Sequence, residues 1–147
     1  MILDPARLSP RKQVVHRFYK AMWDHADKSL IPGIFHEGFT FRGSLGRVLR
    51  GHAEFAGYVD LVTGALGNYT SDILLMVEEG DMVCAKLRFH GIHRQPLFGF
   101  PPSFRHVAWH GAPIFTFEGG KVRDLWVLGD IHGLIAQLRG DEAAQPA

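Results

Sequence analysis

The sequence predicts an α+β fold in which helices come first and an antiparallel sheet follows. Apolar residues recur every three or four positions over residues 11–25 and 52–66, which is the spacing of amphipathic helices. Beyond residue 68 the chain is rich in β-forming residues, and short polar or glycine turns divide it into long runs. A block of helices followed by a block of strands is typical of layered α+β domains rather than of alternating βαβ units.

Each element has a local signal of its own. Asp27 is the predicted N-cap of a short second helix. Gly67 and Asn68 are predicted to end the long helix at 52–66. Turns are predicted where glycine and acidic residues cluster, at 78–81 and 118–121. In chain order the predicted elements are an arm (1–10), helices (11–25 and 28–35), a short strand and glycine-rich loop (38–51), a helix (52–66), four strands (69–78, 82–93, 105–117 and 122–129), a helix (131–139) and a frayed tail (140–147).

Composition limits the classes of function. The length of 147 residues fits one domain, and the net charge of +1 gives no general attraction to nucleic acid or to an anionic membrane. No apolar run reaches the roughly 18 residues of a membrane span, and the N-terminus lacks the order of a signal peptide. The single cysteine, Cys84, excludes an internal disulfide and is compatible with the cytoplasm. We expect Cys84 to be a buried small apolar residue, with a reactive thiol as the alternative.

The predicted sheet has one face without helices. Helices packed on one side of an antiparallel sheet leave the other side open. Such a face often pairs with a second copy of the chain, so we expect a homodimer formed through it.

Nine histidines make a metal site worth testing. His90 and His93 lie three apart on one predicted strand and therefore point to opposite faces. His106 and His110 share a face, but at about 3.3 Å per residue they lie about 13 Å apart. We therefore predict no metal site. The chain also lacks the Gly-x-Ser-x-Gly pattern of a serine nucleophile.

Residues 125–134, "LWVLGDIHGL", contain the most informative acidic residue. Asp130 lies four positions after Trp126 and shares a strand face with it by period-two alternation, so both would line one cavity. Burial there would raise the pKa of Asp130 and suit a general acid or base. Asp130 also stands where the last helix begins, and aspartate is a favoured N-cap. The residues themselves leave the two roles open.

Other candidates combine polar or aromatic chemistry with a suggestive position. His93 ends a strand beside the loop "RQPLFGFPPS", and His110 is expected to be half-buried in the next strand. The alternative for His93 is a histidine that is hydrogen-bonded to backbone. The alternative for His110 is a side chain that faces solvent or a second subunit. The aromatic candidates for a ligand pocket are Tyr19, Trp23 and Tyr58 on helices, and Phe98 and Phe100 over the pocket mouth, with ordinary core or edge packing as the alternative.

The C-terminal half resembles the SnoaL-like polyketide cyclases. That family shows a Gly-x-Pro-Pro-Thr-Gly-Arg loop, an Asp-Gly-Lys-Ile hairpin, Glu-x-Trp-x-x-x-Asp and a closing Gln-Leu. These motifs correspond here to residues 99–105, 119–122, 124–130 and 137–138, and the family's Gly-Thr-His corresponds to residues 91–93. Ser103–Phe104, Ile92 and Asp124 depart from the pattern. The resemblance extends over about residues 13–138.

The resemblance implies a cone-shaped α+β barrel of the nuclear transport factor 2 superfamily, also called cystatin-like, and usually a homodimer. It implies that Asp130 serves as general acid and base for an intramolecular aldol ring closure without cofactor or metal. The substrate would be a hydrophobic carbonyl compound in an apolar cavity. His93 would be a second polar group of that site.

Two other functions remain open at this stage. A non-catalytic module that binds a small apolar molecule or a protein predicts an Asp130 that only caps the helix, outside the cavity. A related isomerase, dehydratase or epoxide hydrolase is the other alternative, and the last of these needs an Asp–Arg–Asp relay for which Arg88 and Asp124 are candidates.

Overall fold

The computed structural model describes residues 3–147, so the first two residues of the predicted arm, Met1 and Ile2, lie outside it. Within that range the helices are α1 (Pro10–Arg17), α2 (Ile31–Ile34), α3 (Gly51–Ala65) and α4 (Ile131–Arg139). The strands are β1 (Phe35–Arg42), β2 (Val48–Arg50), β3 (Leu66–Glu79), β4 (Met82–His93), β5 (His106–Glu118) and β6 (Lys121–Gly129). The predicted α+β order is confirmed.

The first helix, α1, begins with an N-cap and continues at its C-terminal end into a π-helical turn. The hydroxyl of Ser9 accepts a hydrogen bond from the Lys12 amide, and Pro10 stands at the first position, where its missing N–H costs nothing. From Phe18 to Trp23 the chain continues as a π-helical turn. Such turns insert an extra residue into a helix and are frequent at functional sites. Here the turn directs Tyr19 and Trp23 into the interior.

The strands form one open, mixed sheet in the order β2-β1-β6-β5-β4-β3 across residues 3–147. Strands β1 and β6 are parallel, whereas the other neighbours are antiparallel, so the sheet is not wholly antiparallel as the sequence predicts. Shifts of register interrupt β3, β6 and the β1–β6 pair, and such bulges bend strands. The bent sheet wraps around the helices.

The core fills the space between the inner face of the sheet and the helices, and it is unusually aromatic. Phe18 lies at its centre, with ring centroids of Tyr19, Phe35 and Phe115 at 4.8, 5.2 and 5.6 Å. Edge-to-face arrangements of this kind stabilise beyond the area they bury. None of the helices in the described range combines the length and the apolar character that crossing a bilayer requires.

Two predicted segments differ from the structure. The glycine-rich loop expected within residues 38–51 contains the short strand β2, because Val48–Arg50 pairs with the end of β1. The tail expected to be frayed instead returns to the sheet, where the amide of Gln145 donates to the carbonyl of Ala108 at 3.1 Å. Both differences arise from partners distant in sequence.

Cys84 is exposed, so the prediction of a buried cysteine is wrong. In β4 every second residue is buried, from Val83 to His93, and Cys84 therefore points outward by alternation. The sequence run is apolar on both faces, which hides the alternation.

Candidate functional site

An aromatic cavity lies between the π-helical turn, α3 and the inner face of the sheet. Tyr19, Trp23 and Tyr58, the helix aromatics proposed from the sequence, all line it. The sheet contributes Tyr69 from β3 and Trp109 from β5. The remaining lining residues are Phe18, Phe41, Ser44, Leu45, Val62, Phe89, Leu125 and Val127. No lining residue from the described part of the chain is charged, so the walls favour a neutral apolar occupant.

The cavity is narrow in this conformation. Its volume is about 20 Å³, which leaves room for about one water molecule. A larger occupant therefore requires side chains at the mouth to move. Leu45 is shared between the cavity and a surface groove that Phe98 and Leu97 also line. Phe98 thus lies in the neighbouring groove, where it is exposed, and not in the cavity lining.

The tyrosine hydroxyls of the cavity are neutral donors over the physiological range. Burial raises the pKa of Tyr58 to about 12, although hydrogen bonds to the Leu45 backbone and the Ser44 side chain oppose the rise. Burial also raises the pKa of Tyr19 and Tyr69 well above the usual value. Such hydroxyls can donate to a ligand oxygen but cannot supply a base at neutral pH.

The position of Tyr58 depends on a glycine. A methyl group built on Gly43 would lie 2.5 Å from the hydroxyl oxygen of Tyr58. Any side chain at residue 43 would therefore displace this ring or the loop that carries Ser44.

Asp130 lies outside the lining of the aromatic cavity. It is the N-cap of α4, where Oδ1 accepts from the Gly133 amide at 2.9 Å. Its other oxygen, Oδ2, accepts from Nε2 of Gln145 at 2.6 Å. The bond from Gln145 and then that from Gly133 lower the pKa of Asp130, so the carboxylate is ionised at neutral pH. Asp130 directly follows Gly129 in the chain. Gly129 packs closely against the cavity residue Ser44, because a methyl group built on Gly129 would lie 2.6 Å from the Cβ of Ser44.

The C-terminal tail contacts Asp130 through one residue, although Asp130 itself is exposed. Besides its bond to Asp130, Gln145 accepts from the backbone amide of His110 at 3.1 Å through Oε1. Its backbone carbonyl accepts from Nε of Arg88 at 2.8 Å. These bonds hold the tail across the end of β5, so the carboxylate of Asp130 is engaged by a side chain of its own protein.

Replacing Gln145 with Ala should raise the pKa of Asp130 toward its ordinary value, because the largest cause of its depression is removed. A depressed folded-state pKa stabilises the fold above the ordinary aspartate pKa of about 3.9, and this contribution is lost as the pH falls through the folded value. Acid unfolding of the Gln145→Ala variant should therefore depend less on pH in this window. NMR titration of the Asp130 side chain measures the shift, and removal of residues 146–147 alone should leave it unchanged.

His93 is fully buried and holds the loop that follows β4. Its Nδ1 accepts from the Ser103 amide at 3.3 Å and lies 3.1 Å from the Ser103 hydroxyl. Burial lowers its pKa, so the neutral ring is favoured. His93 is not among the residues that line the aromatic cavity. Phe100, in the loop that His93 anchors, is partly buried against the core.

Trp126 and His110 lie on the outer face of the sheet, away from the cavity. Trp126 is 39% exposed, and the guanidinium of Arg42 lies 5.3 Å from its ring centroid. His110 shares a shallow outer pocket with Asp130 and Lys86. The structure thus brings His110 and Asp130 together, and it separates both from Tyr19, Trp23 and Tyr58.

The outer sheet face also carries the polar groups considered for other chemistry. Arg88 bonds Asp72 and Gln145, whereas Asp124 contacts Thr40, so no Asp–Arg–Asp relay of Asp130, Arg88 and Asp124 forms. His90 approaches His106 at 3.1 Å between ring nitrogens. Within residues 3–147 no group of three or more His, Cys, Asp or Glu is arranged to hold a metal ion.

Sequence reasoning missed Tyr69, Trp109 and Ser44 of the cavity and Gln145 of the tail. Alternation along β3 and β5 could have found the first two, because Tyr69 and Trp109 both fall on the buried positions of their strands. Ser44 lies in a loop and Gln145 in the tail, where no periodic pattern exists to place a side chain.

Comparison with known proteins identifies the group to which the fold belongs. Among solved structures, a protein from Acidithiobacillus ferrooxidans that is provisionally named a polyketide cyclase has a TM-score of 0.81 at 22% identity, covering 92% of this chain and 99% of its own. TsrD from Streptomyces laurentii has a TM-score of 0.80 at 24% identity, with coverages of 96% and 100%. A Catenulispora acidiphila protein with a ketosteroid isomerase-like fold has a TM-score of 0.74 at 15% identity, with coverages of 86% and 92%. The fold is therefore that of the nuclear transport factor 2-like proteins, as predicted.

The sequence itself carries the family assignment. Among proteins with curated descriptions, none matches the chain. The sequence model of the SnoaL-like polyketide cyclases matches residues 13–138, which is most of the chain and the span over which the motifs of the loop, the hairpin and the last strand occur. The chain belongs to the SnoaL-like polyketide cyclase family.

Proposed function

We propose that this chain is a cofactor-independent enzyme that closes a ring in a hydrophobic carbonyl compound held in the aromatic cavity. The observation that carries the proposal is the cavity itself, whose described lining is mostly aromatic and wholly uncharged and whose polar side-chain groups are hydroxyls and two indole N–H groups. Such walls bind a neutral apolar molecule and can hold it folded, which is the main requirement of an intramolecular reaction. The cyclase names of its structural neighbours support the same reaction class.

The proposed reaction moves one proton and makes one carbon–carbon bond. A carboxylate removes the proton from a carbon flanked by two carbonyl groups, and the resulting enolate carbon attacks a ketone or aldehyde carbon of the same molecule. The alkoxide that forms takes the proton back from the carboxylic acid and becomes a hydroxyl. The product has the composition of the substrate, and no external reactant is consumed.

We assign the carboxylate role to Asp130. It is ionised at neutral pH, which is the form that a base requires, and it directly follows Gly129 at the end of the cavity wall. Its Oδ2 is bonded to Gln145 in this structure, so the amide has to leave before a substrate proton can reach that oxygen. His93, which anchors the loop near the cavity, would act by holding that loop in place.

The proposal is tested with a panel of acyclic aryl 1,3-diketones that carry a second ketone within reach of ring closure. Mass spectrometry combined with NMR should show a product of unchanged mass that contains a new ring. The variant Val127→Phe, which fills the cavity from β6, should lose turnover, whereas Leu128→Phe on the outer face should retain it. Turnover by Val127→Phe at the wild-type rate would contradict a reaction inside the cavity.

A non-catalytic binding module is the second candidate, and the position of Asp130 favours it. The carboxylate caps α4 and lies outside the cavity lining, as that alternative predicts. Under this function the panel compounds should bind and Val127→Phe should abolish binding, but the recovered compounds should be unchanged. The same samples therefore separate the two candidates.

We also propose that two copies of the chain pair through the outer face of the sheet. Val77, Cys84, Ile114 and Trp126 are successive partners across β3, β4, β5 and β6 and form an apolar row. Val77 is 59% exposed, and Leu128 in the neighbouring row is 53% exposed. A continuous apolar strip on a sheet face is typical of an interface, and a self-complementary strip favours a two-fold dimer.

The substitution Trp126→Glu should dissociate this dimer, because two-fold symmetry places two new carboxylates in one apolar interface. Sedimentation velocity should show the wild-type chain at twice its mass of 16.4 kDa and the variant at the monomer mass. The control is Leu61→Glu, which alters a slightly more exposed apolar residue on α3. A wild-type chain that sediments as a monomer at micromolar concentration would contradict the proposed pairing.

A further inference from the structure

The indole nitrogen of Trp109 is a buried donor without an acceptor. The side chain is 1% exposed and lines the aromatic cavity. Among the described residues no group accepts a hydrogen bond from its Nε1. An indole N–H can only donate, and a buried donor left unpaired costs free energy. The fold therefore maintains an unfavourable group at the wall of its cavity.

The surroundings of this nitrogen are closely packed, and the loop that carries Ser44 forms one side of them. A methyl group built on Gly129 would lie 3.2 Å from Nε1 of Trp109 and 2.6 Å from Cβ of Ser44. The three residues thus meet at one corner, which residue 129 fits only because it has no side chain, and an acceptor can reach Nε1 only when the loop that carries Ser44 moves. Trp109 is the donor at this corner that is buried and has no acceptor among the described residues.

The chemistry of the walls limits which acceptor fits the corner. A carboxylate or phosphate would be desolvated among aromatic rings, and no lining residue in the described chain carries a positive charge to compensate. A neutral carbonyl oxygen accepts one N–H bond at little desolvation cost. It is also the group that a ring-closing substrate presents more than once.

We propose that Trp109 binds a neutral carbonyl oxygen of the ligand through Nε1 at the corner formed by Ser44 and Gly129. This assignment rests on the proposed use of the cavity as the ligand site. It orients the ligand, because the carbonyl end then lies at residue 129, next to Asp130, and the hydrocarbon part lies against Phe18 and Tyr19. The cavity thereby selects a carbonyl compound over a hydrocarbon of equal shape.

The indole N–H signals of the three tryptophans provide a direct test. Protein labelled with ¹⁵N at tryptophan gives one signal each for Trp23, Trp109 and Trp126, which are assigned with single Trp→Phe variants or from contacts of Trp109 to Ser44 and Gly129. The probes are acetophenone and ethylbenzene, which have nearly the same shape and differ in the carbonyl group. Each is titrated into the wild-type chain and into Trp109→Phe, with Trp126→Phe as the control.

Acetophenone should move the Trp109 signal downfield, as hydrogen bonding does, whereas ethylbenzene should not. Wild-type protein and Trp126→Phe should prefer acetophenone, and Trp109→Phe should lose about fivefold of that preference. If acetophenone binds among the cavity tyrosines without moving the Trp109 signal, the carbonyl assignment is overturned while the cavity remains a ligand site. If neither probe binds, both this assignment and the proposed function are contradicted.

Discussion

Asp130→Asn should reduce the rate of ring closure by about 100-fold or more while leaving the fold intact. The rate falls because an amide cannot take a proton from carbon, and general acid–base groups contribute on this scale. The fold persists because asparagine caps helices about as well as aspartate, and its side-chain oxygen can still accept from the Gly133 amide. Steady-state kcat/KM on a panel compound, measured beside urea unfolding of the same variant, gives both quantities.

Asp130→Ala supplies the matched comparison. Alanine removes both the base and the cap, so this variant should lose turnover and also about 1 kcal/mol of the free energy of unfolding. If Asp130 only caps the helix, Asn should behave as wild type in both measurements and Ala should differ only in stability. Wild-type turnover by Asp130→Asn would therefore remove this residue from the chemistry.

The elements with strong local signals were predictable from the sequence. The strand Met82–His93 and the helix Ile131–Arg139 have the predicted bounds, since a glycine turn precedes the strand and an N-cap residue begins the helix. The wide turn after Arg17 was not predictable, because a π-helical turn and an α-helix share nearly the same apolar spacing. The parallel pairing of β1 with β6 likewise depends on residues more than 80 positions apart.

The position of Trp126 on the outer face of the sheet shows why alternation along β6 did not predict which residues line the cavity. The sequence places Val122, Asp124 and Trp126 on one face, but Val122 is buried, whereas Trp126 points outward. The register of β5 with β6 shifts between Thr116 and Phe117, and one extra residue reverses the facing of every later side chain. A bulge leaves no mark in the hydrophobic pattern, so Asp130 and Trp126 could not be placed without the structure.

The cavity was more accessible to sequence reasoning than the surroundings of Asp130. Tyr19, Trp23 and Tyr58 fall on the apolar faces of helices, and burial followed from that periodicity. The contact of Gln145 with Asp130 joins the C-terminal tail, which has no periodic pattern, to the N-cap of a helix 15 residues earlier. Such contacts depend on side-chain chemistry at a distance, which neither propensity nor periodicity encodes.

Phe18→Ala should lower the free energy of unfolding by about 3–5 kcal/mol. Phe18 is 1% exposed and lies against the rings of Phe35, Phe55 and Phe115 within 6 Å between centroids. Alanine removes the ring and leaves a void that these neighbours cannot close, because they belong to a strand, a helix and a second strand. Since domains of this size are stable by about 5–15 kcal/mol, the loss is a large fraction of the total.

Urea unfolding followed by far-UV circular dichroism measures this loss, and Phe104→Ala is the matched control. Phe104 carries the same ring but is 69% exposed, so its removal should change stability by less than about 0.5 kcal/mol. Equal losses for the two variants would contradict an aromatic core centred on Phe18. Because Phe18 also lines the cavity, acetophenone should restore more stability to Phe18→Ala than to the wild-type chain, as a ligand that fills the new space binds the folded state alone.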